Sequence, residues 1–204
     1  MARGNARMSI FLDEKDYRQF IYVLGDVVEQ CEIECWNYCV MPNHYHATLK
    51  PTHPNLSEAI RRINSTYAQW WNKRHERVGH VFQGRFKDQI VESTEYLLTL
   101  SRYVVTNPVR AHLVAHPKEW RWSSYCATVG QIPSPSFIAV NSTLRLFGDD
   151  GNIASRFAQF VCAEANDEPI VERIRSNERI LGSAAFKAGV KAARGARREP
   201  ASQM

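Results

Sequence analysis

The 204-residue sequence contains no long apolar run, and this absence excludes several kinds of protein. None of its hydrophobic stretches approaches the roughly 18 apolar residues that a membrane-spanning helix needs. Residues 1–5 are not followed by the apolar segment of an export signal. We therefore expect a cytoplasmic protein that does not use a membrane as a partner.

Cysteine is also scarce, and its placement excludes two common uses. The five cysteines are an odd number and include no C-x-x-C pair, which argues against a disulfide framework and against a zinc ribbon. Cys31, Cys35 and Cys39 are evenly spaced, and a metal site is one interpretation of this spacing. Small buried apolar side chains in a reducing compartment are the favoured interpretation.

The composition instead favours one packed domain with a small appendage and a basic region. Hydrophobic residues make up 44% of the chain and aromatic residues 11%, which is enough for a core without disulfides. The formal net charge of +5 is concentrated in residues 60–110, where nine basic and four acidic residues leave 9 − 4 = +5. Basic residues interleaved with aromatic ones indicate a polyanion as the partner.

Hydrophobic periodicity predicts a mixed α and β order of elements. Asp13 is placed to cap a helix that ends near Gln30, and strands are expected over residues 32–40 and 44–50, on either side of Pro42. A second long helix is expected over residues 55–77, and one or two short strands over residues 81–91. Ser93 or Thr94 is predicted to cap a third helix, over residues 95–106, that ends before Pro108.

Two histidines and a tyrosine–asparagine pair are the candidates for chemistry. His44 and His46 lie at i and i+2 of a predicted strand, so both imidazoles project from one face and can bind one divalent ion. Tyr103 and Asn107 lie at i and i+4 of a predicted helix and share a face. Each pair alone is more often structural: an incidental H-x-H, or a core tyrosine before a helix end.

Taken together, these two pairs describe a site for phosphoryl transfer. Two imidazoles and one amide oxygen would leave open positions on the ion for a phosphate oxygen and water. Tyr103, one helical turn from a ligand, would then lie close to that phosphate. Because a free phenol has a pKa near 10, the tyrosine would need a neighbouring base or cation to become a nucleophile.

A third group of residues could bind nucleic acid through phosphate pairing and base stacking. The aromatic candidates are Phe82 and Phe86, for which an ordinary strand is an equally good interpretation. Basic residues on predicted helices are more often part of a solvated face, but these flank the same region. The basic candidates are Arg61, Arg62, Lys73, Arg74, Arg85, Lys87 and Arg110.

Four ordered segments, VMPNHYH at residues 40–46, VFQGRFK at 81–87, SRYVVTNPVR at 101–110 and WRWSSY at 120–125, are more specific than any one motif. They resemble the single-tyrosine HUH transposases with an IS200-like domain, most closely the REP-associated tyrosine transposases. The resemblance runs over about residues 3–128 and more weakly to residue 182.

The resemblance implies an α+β fold with a ferredoxin-like antiparallel sheet and helices on one face. It implies His44, His46 and Asn107 as ligands of Mg²⁺ or Mn²⁺, and Tyr103 as the nucleophile. Relatives cut single-stranded DNA near hairpins, and some are homodimers. The expected division is a transposase domain at residues 1–130, a small helical extension at 131–186 and a basic disordered tail at 187–204.

One departure from the family pattern keeps a second hypothesis open. Relatives begin with a strand that leads into the Arg-Gly-Asn found here at residues 3–5, so the first strand is expected to be missing. An incomplete sheet would leave backbone groups unpaired. The alternatives to a DNA-cleaving enzyme are a hairpin DNA or RNA binding protein without cleavage activity and an unrelated hydrolase of small phosphoesters.

Overall fold

The computed structural model describes residues 1–92, 94–149, 151–163, 168–176 and 178–196. The chain divides into two compact units. The first unit comprises Met1–Lys87 and Ser101–Glu164, and the second comprises Asp88–Leu100 and Ala165–Met204. Within the described ranges, no helix is both long and apolar enough to cross a membrane.

The first unit is built on a three-stranded antiparallel sheet. Its strands are β1 (Ala2–Arg3), β2 (Ile33–Met41) and β3 (His44–Pro51), in the spatial order β1-β3-β2. Strands β2 and β3 form a hairpin in which Met41 lies opposite His44, so the predicted break at Pro42 is the hairpin turn. The register shifts between Cys35 and Asn37, where a bulge interrupts the pairing.

Strand β1 is short and lies at one edge of the three-stranded sheet, but both of its sides are hydrogen-bonded. On one side Ala2 and Arg3 pair with β3. On the other side residues 81–87 run beside it: the Gln83 amide donates to the Arg3 carbonyl at 2.8 Å, and the Lys87 amide donates to the Met1 carbonyl at 2.8 Å. The expectation of a missing first strand is therefore corrected, because residues 2–3 occupy that position. Of the strands expected over residues 81–91, only a bridge at Phe82 and a two-residue strand form.

Two long helices cover one face of this sheet. Helix α1 (Glu14–Gln30) begins where predicted, with the Asp13 side chain accepting hydrogen bonds from the amides of Lys15 and Asp16. Helix α2 (Leu56–Arg74) ends three residues earlier than predicted. The main core forms between these helices and the sheet, with Phe20, Leu24, Val28, Tyr45, Ile63, Tyr67 and Trp71 as large buried members.

Helix α3 (Thr94–Arg110) continues through Pro108, so its predicted end before the proline was wrong. A proline inside a helix removes the hydrogen bond to the carbonyl four residues earlier, here that of Val104. The side-chain amide of Asn107 donates to this carbonyl at 3.4 Å and compensates for the lost bond. The predicted cap at Ser93 lies outside the described residues.

The rest of the first unit packs around these elements. The segment after residue 111 contains a 3-10 turn (Pro117–Glu119) and helix α4 (Tyr125–Thr128), and further 3-10 turns lie at Asn5–Arg7 and Arg145–Phe147. This segment lies on the sheet, because the Trp120 indole donates to the Val40 carbonyl at 3.0 Å. Helices α5 (Val140–Leu144) and α6 (Ile153–Cys162) complete a second apolar cluster around Phe157.

This packing corrects the expected helical extension at 131–186. Helix α5 joins the first unit because the Thr143 hydroxyl donates to the Trp36 carbonyl on β2 at 2.8 Å. The contact-based boundary therefore falls after residue 164 rather than at 130.

The second unit contains a parallel strand pair, β4 (Ile90–Val91) with β5 (Ile180–Leu181). Its helices are α7 (Glu168–Arg175) and α8 (Ala184–Ala196). Helix α8 covers the first ten residues of the tail expected to be disordered from residue 187, so that expectation was wrong for residues 187–196. The Ser183 hydroxyl accepts the Phe186 amide at 3.1 Å and begins this helix.

Three of the cysteines lie where the sequence predicted. Cys31, Cys35 and Cys39 are free thiols buried in the first unit. Burial raises the pKa of the Cys35 thiol to about 12, so it remains protonated at neutral pH. These side chains behave as small apolar residues, in agreement with the favoured interpretation.

Candidate functional site

The candidate site lies on the face of the sheet opposite the main core. On β3, Tyr45 points into the core and its hydroxyl donates to Asn64 Oδ1 at 2.9 Å. Because side chains alternate along a strand, His44 and His46 point to the other face. Their ring centroids are 5.0 Å apart and the rings are inclined by 79°. The sequence prediction that the two imidazoles share a face is confirmed.

The environment keeps both imidazoles neutral. Burial, together with the positive charge of Arg3, lowers the pKa of His44 from 6.5 to about 4. Burial also holds the pKa of His46 well below its ordinary value, and His44 adds to this effect. A neutral imidazole keeps a lone pair on one ring nitrogen, which is the form that ligates a metal.

Asn43 orients the first of these imidazoles. Its Oδ1 lies 2.7 Å from His44 Nδ1, and its Nδ2 donates to the Arg7 carbonyl at 3.0 Å. Because the amide oxygen can only accept, the proton of neutral His44 resides on Nδ1 and the lone pair on Nε2. Such a partner commonly fixes the tautomer and orientation of a metal-ligating histidine.

Tyr103 on helix α3 faces the second imidazole. The centroids of the His46 and Tyr103 rings are 5.6 Å apart, and the rings meet edge to face at 84°. The Arg110 guanidinium carbon lies 5.5 Å from the centroid of the same phenol ring. A single chain therefore brings together the histidine pair, the tyrosine and a cation.

Asn107 lies one helical turn after Tyr103 and is buried. Its Nδ2 donates to the Tyr103 carbonyl at 2.7 Å. Since this arm of the amide is bound to backbone, the oxygen arm is the one that can serve as a ligand.

The side chains of His44, His46 and Asn107 are the predicted ligands of a divalent ion. The described residues contain no group of three His, Cys, Asp or Glu side chains that could hold a metal. His44, His46 and Asn107 stay the predicted ligands. Two imidazoles and one amide oxygen would fit an open site, which keeps positions for phosphate and water.

A buried polar network holds helix α3 against the same face of the sheet. The Asn37 side chain on β2 donates to the Ser101 hydroxyl at 2.9 Å and accepts from the Thr48 hydroxyl at 2.8 Å. All three side chains are buried. Ser101 is two residues from Tyr103 and Thr48 is two residues from His46, so the network fixes the two halves of the site relative to each other.

The basic residues of helix α2 that were predicted to bind DNA differ in their side-chain partners. Arg61 forms an exposed ion pair with Glu58, and the Arg62 guanidinium donates to the side chain of Gln30. Arg74 forms ion pairs with Asp13 and with the fully buried Asp16. The structure thus gives Arg74 a structural role in joining α1 to α2, contrary to the expectation of DNA binding. Lys73 is exposed.

The segment at residues 81–87 separates into core and surface residues. Phe82 and Phe86 pack against the main core, and the Phe82 ring lies 6.3 Å from that of Tyr45 and 6.1 Å from that of Tyr67. These rings are half-buried against protein, and their stacking on bases stays a prediction. Arg85 and Lys87 are exposed, and their binding of phosphates stays a prediction.

Three contributors to this site were not predicted from the sequence: Arg3, Asn43 and the Asn37–Ser101 pair. The position of Asn43 next to His44 is the sequence signal that could have indicated its role. Arg3 carries no such signal, because it lies 41 positions from His44 in the sequence. The Asn37–Ser101 contact joins residues 64 positions apart, which periodicity cannot reveal.

The order of elements defines an α+β protein in which paired histidines on a strand face a tyrosine on a following helix. The sequence model described as "Transposase IS200 like" matches residues 1–107, and the chain belongs to this family. No curated protein matches the chain.

A solved structure supports the fold. It is that of a REP-associated tyrosine transposase bound to a REP hairpin, with a TM-score of 0.54 and 18% sequence identity. The match covers 68% of this chain and 81% of that chain. The α+β fold with an antiparallel sheet is therefore confirmed, and helix α3 adds a second covered face to the expected arrangement.

Proposed function

We propose that this transposase cleaves and rejoins single-stranded DNA near hairpins through a covalent phosphotyrosine intermediate. The observation that carries this proposal is the edge-to-face contact between His46 and Tyr103, with 5.6 Å between ring centroids. Membership of the IS200-like family and the hairpin-bound structural relative support DNA as the substrate.

In the proposed step, Tyr103 Oη forms a bond to the phosphorus of one phosphodiester. The bond from that phosphorus to one deoxyribose oxygen breaks, and this oxygen leaves as a hydroxyl after it takes up a proton. The phenol loses its own proton to a base or to water. Attack of the hydroxyl on the phosphotyrosine reverses the step, so the strand is rejoined without an external energy source.

His44, His46 and Asn107 would hold the Mg²⁺ or Mn²⁺ ion. When bound, the ion supplies Lewis-acid polarisation of the phosphate. The protein's own contribution is positioning: the neutral imidazoles are oriented by Asn43, and Tyr103 is held over them by helix α3. Positioning of this kind lowers the entropic part of the barrier.

The contacts within one chain support a site that does not require a partner subunit. His46 and Tyr103 meet in the same chain, and the Asn37–Ser101 hydrogen bond holds helix α3 to its own sheet. A homodimer would then bring together two complete sites rather than complete each one.

Exposed basic residues outside the histidine–tyrosine pair are proposed to bind DNA phosphates. Arg85 and Lys87 lie in the segment that runs beside β1, and Lys73 lies in the last turn of α2. Arg110 lies beside the Tyr103 ring, where it can contact a bound phosphate. Arg61 and Arg62 would have to exchange their present contacts with Glu58 and Gln30 for a phosphate.

The proposal is tested with single-stranded oligonucleotides that carry the hairpins flanking the gene. Wild-type protein with Mg²⁺ is expected to give a protein–DNA adduct that survives denaturing electrophoresis. Tyr103→Phe should give none, whereas Tyr22→Phe, which changes an exposed tyrosine on α1, should behave as wild type. Binding of the hairpins by wild type without any adduct would favour a non-cleaving binding protein instead.

A further inference from the structure

Arg3 lies directly beside the candidate site. On β1 it is the register partner of His44. Because register partners in an antiparallel pair project from the same face of the sheet, the Arg3 side chain lies on the face that carries the two imidazoles. Arg3 is thus a cation placed next to the proposed metal ligands.

The guanidinium of Arg3 is buried in part, and no carboxylate of the described residues forms an ion pair with it. Its Nε is inaccessible to solvent and has no hydrogen-bond partner among the described residues. Two other arginines of the first unit do have acidic partners: Arg74 pairs with Asp13 and Asp16, and Arg121 pairs with Glu14. Burying a charged group without a partner is costly, so its retention points to an anion that binds there.

The surrounding charges favour an anion of strong negative charge. Arg110 lies beside the Tyr103 ring, and a bound divalent ion would add further positive charge. A phosphodiester that carries a full negative charge matches this environment. A guanidinium also presents parallel N–H donors that suit two phosphate oxygens.

We propose that Arg3 binds the non-bridging oxygens of the scissile phosphate and stabilises the charge that they carry during attack by Tyr103. This inference rests on the proposed function and assigns to it a catalytic residue on the strand next to the histidine pair. Donors aimed at developing charge commonly contribute factors of about 10²–10³ to the rate.

The first experiment compares adduct formation by wild type, Arg3→Ala and Arg3→Lys. Once the cut site has been mapped with wild type, the scissile phosphate is replaced by an uncharged methylphosphonate. On the phosphodiester, Arg3→Ala is expected to lose about 10²–10³-fold in rate. On the methylphosphonate, wild type and Arg3→Ala should react at similar rates, because the charge that Arg3 neutralises is absent.

Controls separate this role from a structural one. Arg3→Lys keeps the charge and should retain the fold of β1, but it lacks the paired donors, so an intermediate rate is expected. Arg18→Ala, which changes an exposed arginine on α1, should match wild type on both substrates. An equal loss by Arg3→Ala on both substrates would show that Arg3 supports the fold and would overturn the proposal.

The second experiment does not depend on cleavage. Inorganic phosphate is titrated into ¹⁵N-labelled protein, and the side-chain Nε–H resonance of Arg3, assigned by its loss in Arg3→Lys, is followed by NMR. A saturable shift that exceeds those of the exposed arginines is expected. An unchanged resonance would overturn the assignment of Arg3. A saturable shift without any adduct in wild type would instead count against the proposed function alone.

Discussion

His46 and Tyr103 meet edge to face, with 5.6 Å between ring centroids and 84° between ring planes. The two residues belong to different elements, strand β3 and helix α3, and lie 57 positions apart in the sequence. Their contact turns two individually weak motifs into one candidate site. It also places the tyrosine beside an imidazole whose low pKa keeps it neutral and available to a metal.

The hydrogen bond between Asn43 and His44 predicts an effect on metal affinity. Asn43→Ala removes the acceptor that fixes the His44 tautomer, and loss of such a partner typically weakens metal binding about 10–100-fold. The measurement is Mn²⁺ binding followed by electron paramagnetic resonance. Asn72→Ala, which removes a side-chain bond to the Gly79 carbonyl, serves as the control and should bind Mn²⁺ like wild type. Unchanged affinity in Asn43→Ala would contradict the role given to this residue.

The lowered pKa of His44 predicts a pH dependence of stability in the metal-free protein. The folded pKa of about 4 lies below the ordinary value of 6.5, so the unfolded chain binds more protons between these values. The stabilising contribution is complete above about pH 6.5 and is lost as the pH falls towards 4. A difference of this size corresponds to up to about 3 kcal/mol.

The pH dependence is measured by urea unfolding at several pH values. His44→Gln, whose side chain does not titrate, should show a shallower fall in the free energy of unfolding between pH 6.5 and pH 4. The exposed His80→Gln variant is expected to follow the wild-type curve. Parallel curves for wild type and His44→Gln would show that burial of His44 has no such cost.

The Asn37–Ser101 hydrogen bond predicts a coupled loss of stability and positioning. Ser101→Ala leaves the buried Asn37 amide without its acceptor, at a cost of about 1–3 kcal/mol in the free energy of unfolding. Because the same bond holds helix α3 over the histidines, adduct formation should also slow under conditions where the variant is folded. Thr106→Ala removes a hydroxyl that bonds only within α3 and should leave the adduct rate unchanged. A normal adduct rate in folded Ser101→Ala would argue against the positioning role.

The exposed residues Arg85 and Lys87 and the ion-paired Arg74 should respond differently to substitution. Arg85→Ala and Lys87→Ala should weaken hairpin binding and lower the slope of log affinity against log salt by about 0.7–0.9 each, the value for one lost phosphate contact. Arg74→Ala should lower the melting temperature, because Asp16 is buried and loses its partner, but it should leave the slope unchanged. Fluorescence anisotropy at several salt concentrations distinguishes these results, and an altered slope in Arg74→Ala would restore its predicted role in DNA binding.

Much of the fold could be predicted from local sequence. Helix α1 and the strands β2 and β3 begin within one residue of their expected positions, because capping by Asp13 and the proline at the hairpin turn act over a few residues. The alternation of side chains along β3 likewise predicted the shared face of His44 and His46. Patterns of this kind depend on the backbone alone.

The remaining features depend on contacts that are distant in sequence. Helix α3 passes through Pro108 because the Asn107 side chain replaces the missing hydrogen bond, a compensation that propensity rules do not anticipate. The position of Phe82 against Tyr45 and Tyr67 likewise depends on residues distant in the chain. Arg74 looked like a surface cation, yet its partners Asp13 and Asp16 come from another helix.

The central claim is that Tyr103 becomes covalently joined to DNA, and mass spectrometry of the trypsin-digested reaction mixture measures this most directly. Cleavage after Arg102 and Arg110 releases the peptide of residues 103–110, which contains a single tyrosine. The account predicts that this peptide carries a phosphodiester-linked nucleotide fragment on the phenol oxygen. A nucleotide linked to any other residue, with residues 103–110 recovered unmodified, would contradict it.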